Sequence, residues 1–228
     1  MSRAIINFAE GAWYPYGQER LKRSVMEHGW DGDFVGWTSS SDLGCPPHSQ
    51  VPYAFKTHAL VNARAQGYES ALFADASIYA VKPFDLVFTI IENEGYFFEE
   101  AGHWTGTWTT DAALEQMGLT RDEAMKIPML TAGFVGLNFS SDIANAFLDR
   151  WHELALDGIT FPGPWQNRDG AASDDPRCEG HRHDMSAASV TAHKLGMKLR
   201  TNGDTLAYIG PGYNDPRETV CFHLNPTV

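Results

Sequence analysis

Two short stretches are apolar almost without interruption: RAIINF, Arg3 to Phe8, and SALFAD, Ser70 to Asp75. Neither is long enough for a helix, and neither alternates with polar residues as a strand with one wet face does. Both are expected to be strands buried on both faces, as in the middle of a parallel sheet. Between them the pattern changes. From Gly17 to His28, Leu21, Val25 and Met26 fall on one side and charges on the other, which is helical spacing. Asp33 to Thr38 (DFVGWT) reads as a second short strand. Ser39 to Pro52 (SSSDLGCPPHSQVP) reads as a turn-rich segment that its Gly and Pro residues keep irregular. Tyr53 to Gln66 has helical composition and stops at Gly67, a residue suited to the left-handed position after a helix. Pro83 suits the first turn of a further helix, which runs to Glu92 through Leu86, Val87 and Ile90. Strands alternating with helices predict an α/β domain with a mostly parallel central sheet flanked by helices.

The second half is less regular. Gly95 to Phe98 is expected to be a short strand, and Thr120 to Glu123 (TRDE) opens a short helix with a capping box. Thr131 to Phe139 (TAGFVGLNF) reads as an extended segment with two glycines, followed by an amphipathic helix from Ser141 to Leu156. The stretch from Asp157 to Arg182 is rich in Gly, Pro and Asp, and its length predicts a mobile loop with a function of its own. Asp184 heads a last helix that Gly196 ends. A small C-terminal strand region is expected at Met197 to Arg200, Leu206 to Ile209 and Val220 to Leu224.

Composition narrows the partners. A chain of 228 residues, 43% of them hydrophobic, can bury one real core, so residues 1–228 are expected to form a single domain. A net charge of −12, with 17 Lys and Arg and no run of them, argues against a sequence-blind grip on nucleic acid or an anionic membrane. It leaves room for a local basic pocket that takes one phosphate-bearing small molecule. No apolar segment approaches the ~20 residues of a membrane span. The stretch MSRAIINFAEG turns polar too soon for a secretory signal. Cys45, Cys178 and Cys221 are odd in number and widely spaced, which does not suggest a disulfide framework; a reducing, cytoplasmic setting is the expectation.

The strand that begins at Ser70 ends on a carboxylate, Asp75, with Ser77 two residues on. Ligands of open parallel sheets gather at the carboxyl ends of the strands, and a carboxylate at that lip is able to hold a hard cation. The plainer alternative makes Asp75 a turn former and Ser77 a cap. The phrase ALFA-Asp75-Ala76-Ser77-IYAVKPF resembles the donor motif of nucleotide-sugar glycosyltransferases of the GT-A fold, a buried strand ending in Asp-x-Asp. Upstream, YAFKTHALVNARAQGYES resembles the helix before that motif; downstream, TAGFVGLNFS resembles the glycine-bearing segment that lines the site. The likeness runs from about Tyr53 to His193.

That resemblance implies a nucleotide-diphosphate sugar donor, UDP-linked by expectation, held by Asp75, Ser77, Lys56, Arg64, Phe8 and Gly133. It implies a divalent cation, Mn²⁺ or Mg²⁺, on Asp75 and Ser77, with His223 of VCFHLNP completing its coordination. Residues 1–100 would form the nucleotide-sugar-binding half and 101–228 the acceptor half, with 157–182 as a lid. Ser77 departs from the family pattern, since a neutral hydroxyl is a poorer cation ligand than a carboxylate. Three arrangements stay open: a metal held by Asp75, the diphosphate and a later residue; weak metal binding; or a metal-free reaction.

EGHRHDMSAAS, Glu179 to Ser189, carries the other candidate chemistry. A helix N-terminus favours the carboxylate form of Asp184, and the plain reading makes it an N-cap beside a solvated pair of histidines. The resemblance instead makes Asp184 the general base if the transfer inverts configuration, or a residue that positions the acceptor if it retains it, with His183 orienting the acceptor or assisting and Arg182 offsetting leaving-group charge. Cys178, His181 and His183 also match zinc-ligand types, although a structural site needs a fourth ligand, which Cys221 or His223 would have to bring from afar. Trp13, Tyr14 and Tyr16 follow the first strand, where a donor base can stack, and Trp104 and Trp108 suit a sugar platform. Such aromatics serve equally as core or loop anchors.

The expected activity is transfer of a hexose or related sugar to an acceptor hydroxyl on a glycan, a protein or a modified nucleobase. Two alternatives stand beside it. One is a DNA-base-modifying glycosyltransferase of the same fold, against which the net charge counts. The other is a catalytically silent nucleotide-sugar-binding protein, which Ser77 favours.

Overall fold

The computed structural model describes residues 2–11, 13–209 and 221–224, with residues 208–209 and 221–224 given by backbone alone. The first part of the chain forms β1 (Arg3–Phe8), α1 (Tyr14–Glu27), β2 (Asp33–Trp37), α2 (Ser40–Leu43), α3 (Phe55–Ala65) and β3 (Ser70–Ala74). It continues through β4 (Ile78–Ala80), α4 (Asp85–Glu94), β5 (Tyr96–Phe97), β6 (Glu100–Trp104), α5 (Asp111–Gln116) and α6 (Arg121–Ala124). The remainder is β7 (Pro128–Leu130), β8 (Phe134–Asn138), α7 (Asp142–Leu156), α8 (His183–Lys194), β9 (Leu206–Ile209) and β10 (Cys221–Leu224).

The central sheet has five strands in the order β2-β1-β3-β8-β5. β1 runs parallel to β2 and β3, while β8 is antiparallel to both of its neighbours. The sheet is therefore mixed, with β8 the one reversed strand. β8 follows β7, which pairs with β6 in a separate two-stranded sheet, through a tight turn at Thr131–Phe134.

The uninterrupted apolar runs follow from burial on both faces. Ala4, Ile6, Ala71, Phe73, Val135 and Leu137 point to one side, where α3, α7 and α8 cover them. Ile5, Leu72, Ala74 and Phe134 alternate to the other, against Leu21 and Val25 of α1 and Val87, Phe88 and Ile91 of α4. α8 lies so deep that Ser186 through Ala192 are all buried. Only small residues fit there, and their three hydroxyls have partners: Leu130 N–H donates to Ser189 Oγ, Ser186 Oγ donates to the Trp108 carbonyl, and Thr191 Oγ1 donates to the Ala187 carbonyl.

Several expectations meet corrections. Ser39 to Pro52 is not wholly irregular: Ser39 accepts from the Ser41 amide and caps α2, which Gly44 ends in the left-handed conformation. α1 starts at Tyr14, ahead of Gly17, because Pro15 suits its first turn. Met197 to Arg200 is not a strand; its ladder contact is a single bridge between Glu99 and Arg200. The segment after it is held instead by the buried Glu99 carboxylate, which accepts from the amides of Gly203, Thr205 and Leu206. Among the described residues, no helix is long and apolar enough to cross a membrane.

Candidate active site

β3 delivers Asp75 to the carboxyl edge of the sheet. The Asp75 amide donates to the Gly133 carbonyl at 2.8 Å, and the Ile78 amide returns to the Asp75 carbonyl at 2.9 Å, closing a tight turn through Ala76 and Ser77. The plain turn reading thus describes the backbone, while the side chain, 27% exposed, faces a cavity. Gly133 is needed for this approach, since a Cβ there would lie 2.6 Å from Asp75 Oδ2. Gly17 of α1 packs under the same turn, where a Cβ would come within 2.2 Å of the Ala76 carbonyl oxygen.

Lys56, in the first turn of α3, is buried, and its ammonium is shared three ways. Asp184 Oδ2 lies at 2.9 Å, Asp75 Oδ2 at 3.4 Å and the Ala132 carbonyl at 3.1 Å. Burial opposes the ammonium charge, but Asp184 and Asp75 outweigh it and raise the Lys56 pKa. Asp184 is 3% exposed, in the first turn of α8 but not at its cap; Arg182 takes that position, and the Asp184 carbonyl accepts from the Trp151 indole. The N-cap reading of Asp184 is therefore wrong. Burial pushes the Asp184 pKa up, the negative Asp75 adds to this, and Lys56 opposes it. Asp184 Oδ2 is itself buried, with the Lys56 ammonium in contact at 2.9 Å.

These groups line one cavity of about 580 Å³. Phe8 stacks on Phe55 at 4.4 Å, and Trp13 tilts on Tyr14 at 4.2 Å, giving one aromatic flank. Trp165, from the 157–182 segment, Tyr53 and His48 give the other. Tyr53 has φ of 62°, unusual for a bulky residue, and its ring lies 5.1 Å from the Lys56 ammonium. Burial raises the Tyr53 pKa to about 12, so the phenol stays protonated. Glu10 also lines the cavity, its carboxylate accepting from Ser40 N and Oγ. The 157–182 segment, expected as a mobile loop, carries a framework of its own: Asn167 donates to the Ser173 and Cys178 carbonyls and accepts from Ala172 and Ser173.

Other candidates fall elsewhere. Arg64 binds Asn145 and Asp149 of α7, because eight residues beyond Lys56 carry it ~12 Å along the helix, away from the sheet edge. His183 is buried behind the cavity wall at φ of 45°, with Nδ1 2.8 Å from the Phe161 carbonyl and burial lowering its pKa. Tyr16 and Trp104 are exposed and do not line the cavity. The zinc alternative fails on geometry. Both His181 nitrogens are engaged, Nε2 with the Thr160 carbonyl and Nδ1 with the Thr110 amide, and Cys178 Sγ turns to the Thr109 and Gly180 carbonyls.

Among the described residues no three His, Cys, Asp or Glu side chains group as a metal site. Of the ligands expected for the divalent cation, Asp75 is already shared with an ammonium and Ser77 is neutral, so these two side chains alone do not make a cage for it. The antiparallel register of β10 on β4 sets His223 opposite Ile78, next to Ser77; the His223 side chain lies outside the described residues.

No protein-family model and no curated protein matches the chain. Solved structures do. WbbM, a bifunctional glycosyltransferase in its apo form, aligns over 97% of this chain with a TM-score of 0.55 and 8% identity. The match covers 45% of WbbM, so this chain spans less than half the length of that protein. A glycosyltransferase involved in glycosylation of the major capsid of PBCV-1 aligns over 100% of this chain and 95% of its own, with a TM-score of 0.53 and 13% identity. Mouse xyloside xylosyltransferase 1, apo form, covers 99% and 98% with a TM-score of 0.51 and 10% identity. At such identities the likeness is one of fold: the mixed five-stranded sheet flanked by helices is an architecture that these glycosyltransferases share.

Proposed function

We propose that this chain transfers a sugar from a nucleotide-diphosphate donor to an acceptor hydroxyl. The observation that carries the reading is a single buried ammonium, Lys56, touching two carboxylates of unlike exposure in one cavity. About 580 Å³ is within the range of small-molecule sites, and its aromatic flanks suit a nucleobase and a sugar face.

In this reading residues 1–100 supply the donor side and 101–228 the acceptor side. The donor diphosphate lies toward the Asp75–Ser77 turn, and the acceptor hydroxyl donates to the Asp184 carboxylate. As the acceptor oxygen attacks the anomeric carbon, its proton passes to Asp184, and the bond from that carbon to the diphosphate oxygen breaks with its electron pair staying on the diphosphate. A carboxylate whose burial raises its proton affinity is a stronger base than a solvated one. Once Asp184 is neutral, the Lys56 charge is less compensated and acts on the departing diphosphate. The packed 157–182 segment, with Trp165 at the wall, keeps water from the anomeric carbon.

The test is a panel of nucleotide sugars followed by thermal shift and by nucleotide release, run with Mg²⁺, with Mn²⁺ and with a chelator. A ligand at 100 times its Kd stabilises the folded state by about 2.7 kcal/mol. One donor class is expected to raise the melting temperature selectively and to release nucleotide, and the metal arms read out the cation that the family resemblance implies. A shift without nucleotide release, even with acceptors supplied, would leave a silent binder.

A further inference from the structure

Arg182 lines the cavity two residues before Asp184 and is held flat between two indoles, 3.6 Å from the Trp108 ring and 3.9 Å from the Trp165 ring. Its Nη1 donates to the Trp165 carbonyl at 2.7 Å and to the His181 carbonyl at 3.3 Å. Among the described residues it has no carboxylate in an ion pair; Glu179 acts on it only from a distance. Most of the other described arginines differ. Arg3, Arg64, Arg121, Arg150, Arg177 and Arg200 each hold a carboxylate within 3.0 Å, whereas Arg20, which donates to the Ala76 and Ser77 carbonyls, and Arg168, which donates to Gln166, share with Arg182 the lack of an ion pair among the described residues. In a chain with 29 acidic and 17 basic residues, carboxylates are abundant, yet none pairs with the arginine at the cavity wall. A guanidinium fixed between aromatic faces is preorganised, and its free edge matches the two oxygens of a carboxylate or phosphate.

We propose that Arg182 is the recognition point for an anionic group on the acceptor, so that the preferred acceptor is a sugar bearing a carboxylate or a phosphate. The proposal deepens the glycosyl-transfer reading and rests on it. In a single displacement the acceptor oxygen and the leaving diphosphate lie on opposite sides of the anomeric carbon. Arg182 belongs to the turn that carries the base, so its charge is on the acceptor's side. There it pins the acceptor while the neighbouring hydroxyl meets the Asp184 carboxylate, which lines the same cavity. The N-terminal end of α8 adds positive potential at the same place.

The experiment measures direct binding, without donor, of matched methyl hexosides of gluco, galacto and manno configuration. Each is offered as the neutral sugar, the 6-carboxylate and the 6-phosphate. In at least one configuration the wild type is expected to bind a charged member ten-fold or more tightly than the neutral one, and whichever anion wins identifies the source of charge. Arg182→Gln should collapse that ratio toward one, and Arg182→Lys should keep part of it, with thermal unfolding reporting that each variant is folded. Equal binding of neutral and charged sugars by the wild type overturns the proposal whether or not the variants fold. So does an Arg182→Gln protein that keeps the ratio and instead loses affinity for UDP, which would place Arg182 on the leaving group. Failure to turn over any nucleotide sugar would be seen separately, in the donor panel, and would sink glycosyl transfer instead.

Discussion

The sheet rim after β3 and the first turn of α8 each present an aspartate to the same lysine, yet the two regions are built in opposite ways. Asp75 sits in a tight turn at the edge, 27% exposed, with glycines at 17 and 133 giving it room. Asp184 sits in a helix buried almost throughout, 3% exposed, its backbone tied to Trp151. Depth makes the difference in chemistry. An open carboxylate meets a ligand at little desolvation cost, whereas burial penalises the charged form of Asp184 and makes it hold a proton more readily. Lys56 keeps both negative charges tolerable in one cavity.

Removing that lysine should break the comparison most severely. Lys56→Met leaves two carboxylates without their shared cation, and losing one partner of a buried pair costs about 3–5 kcal/mol. Urea unfolding should show a loss of this size at neutral pH, with part of it regained in the Lys56→Met, Asp184→Leu double variant. A smaller effect is expected at the rim. Gly133→Ala forces a Cβ against Asp75 Oδ2, and overpacking of this kind costs about 1–3 kcal/mol. Donor affinity should fall with it, read by the nucleotide-sugar thermal shift, while the Asp184 side of the cavity is unaffected.

At neutral pH the least effect comes from the floor beneath α8, and it grows only as the pH falls. Burial, with His183 adding to it, lowers the His181 pKa to about 3 from an ordinary 6.5. Between those values the unfolded chain binds a proton that the folded chain refuses. Stability should therefore fall as pH drops below 6.5, by about 1.4 kcal/mol per pH unit from this group. Unfolding curves from pH 7 to pH 4 check this, and His181→Gln should flatten that part of the profile.

What the sequence revealed depended on burial. RAIINF and SALFAD announced themselves because both faces of each strand are covered, and β1 begins and ends where the pattern said. β6 escaped because its residues are half or fully exposed and its ladder to β7 is irregular, so no period-2 alternation marks it. Asp75, Lys56 and Asp184 were legible from a strand end, a helix start and a family likeness. Arg64 was read into the site from the family likeness, but two helical turns past Lys56 it reaches Asn145 and Asp149 instead. Tyr53 carried no signal, since nothing in its neighbours foretells a left-handed tyrosine. Arg182 and Trp108 were noted separately, but the clamp they make with Trp165 joins three distant segments that only the folded topology brings together.

The division of labour between the two aspartates is tested most directly by measuring donor Kd and kcat on Asp75→Asn and Asp184→Asn side by side. Crossed results are expected. Asp184→Asn should keep the donor Kd within about two-fold and lose kcat by roughly 10²–10⁴-fold, the usual worth of a general base. Asp75→Asn should weaken donor binding about ten-fold, near 1.4 kcal/mol, with a smaller change in kcat. Normal kcat in Asp184→Asn, or the same loss of donor affinity in both variants, would contradict that division.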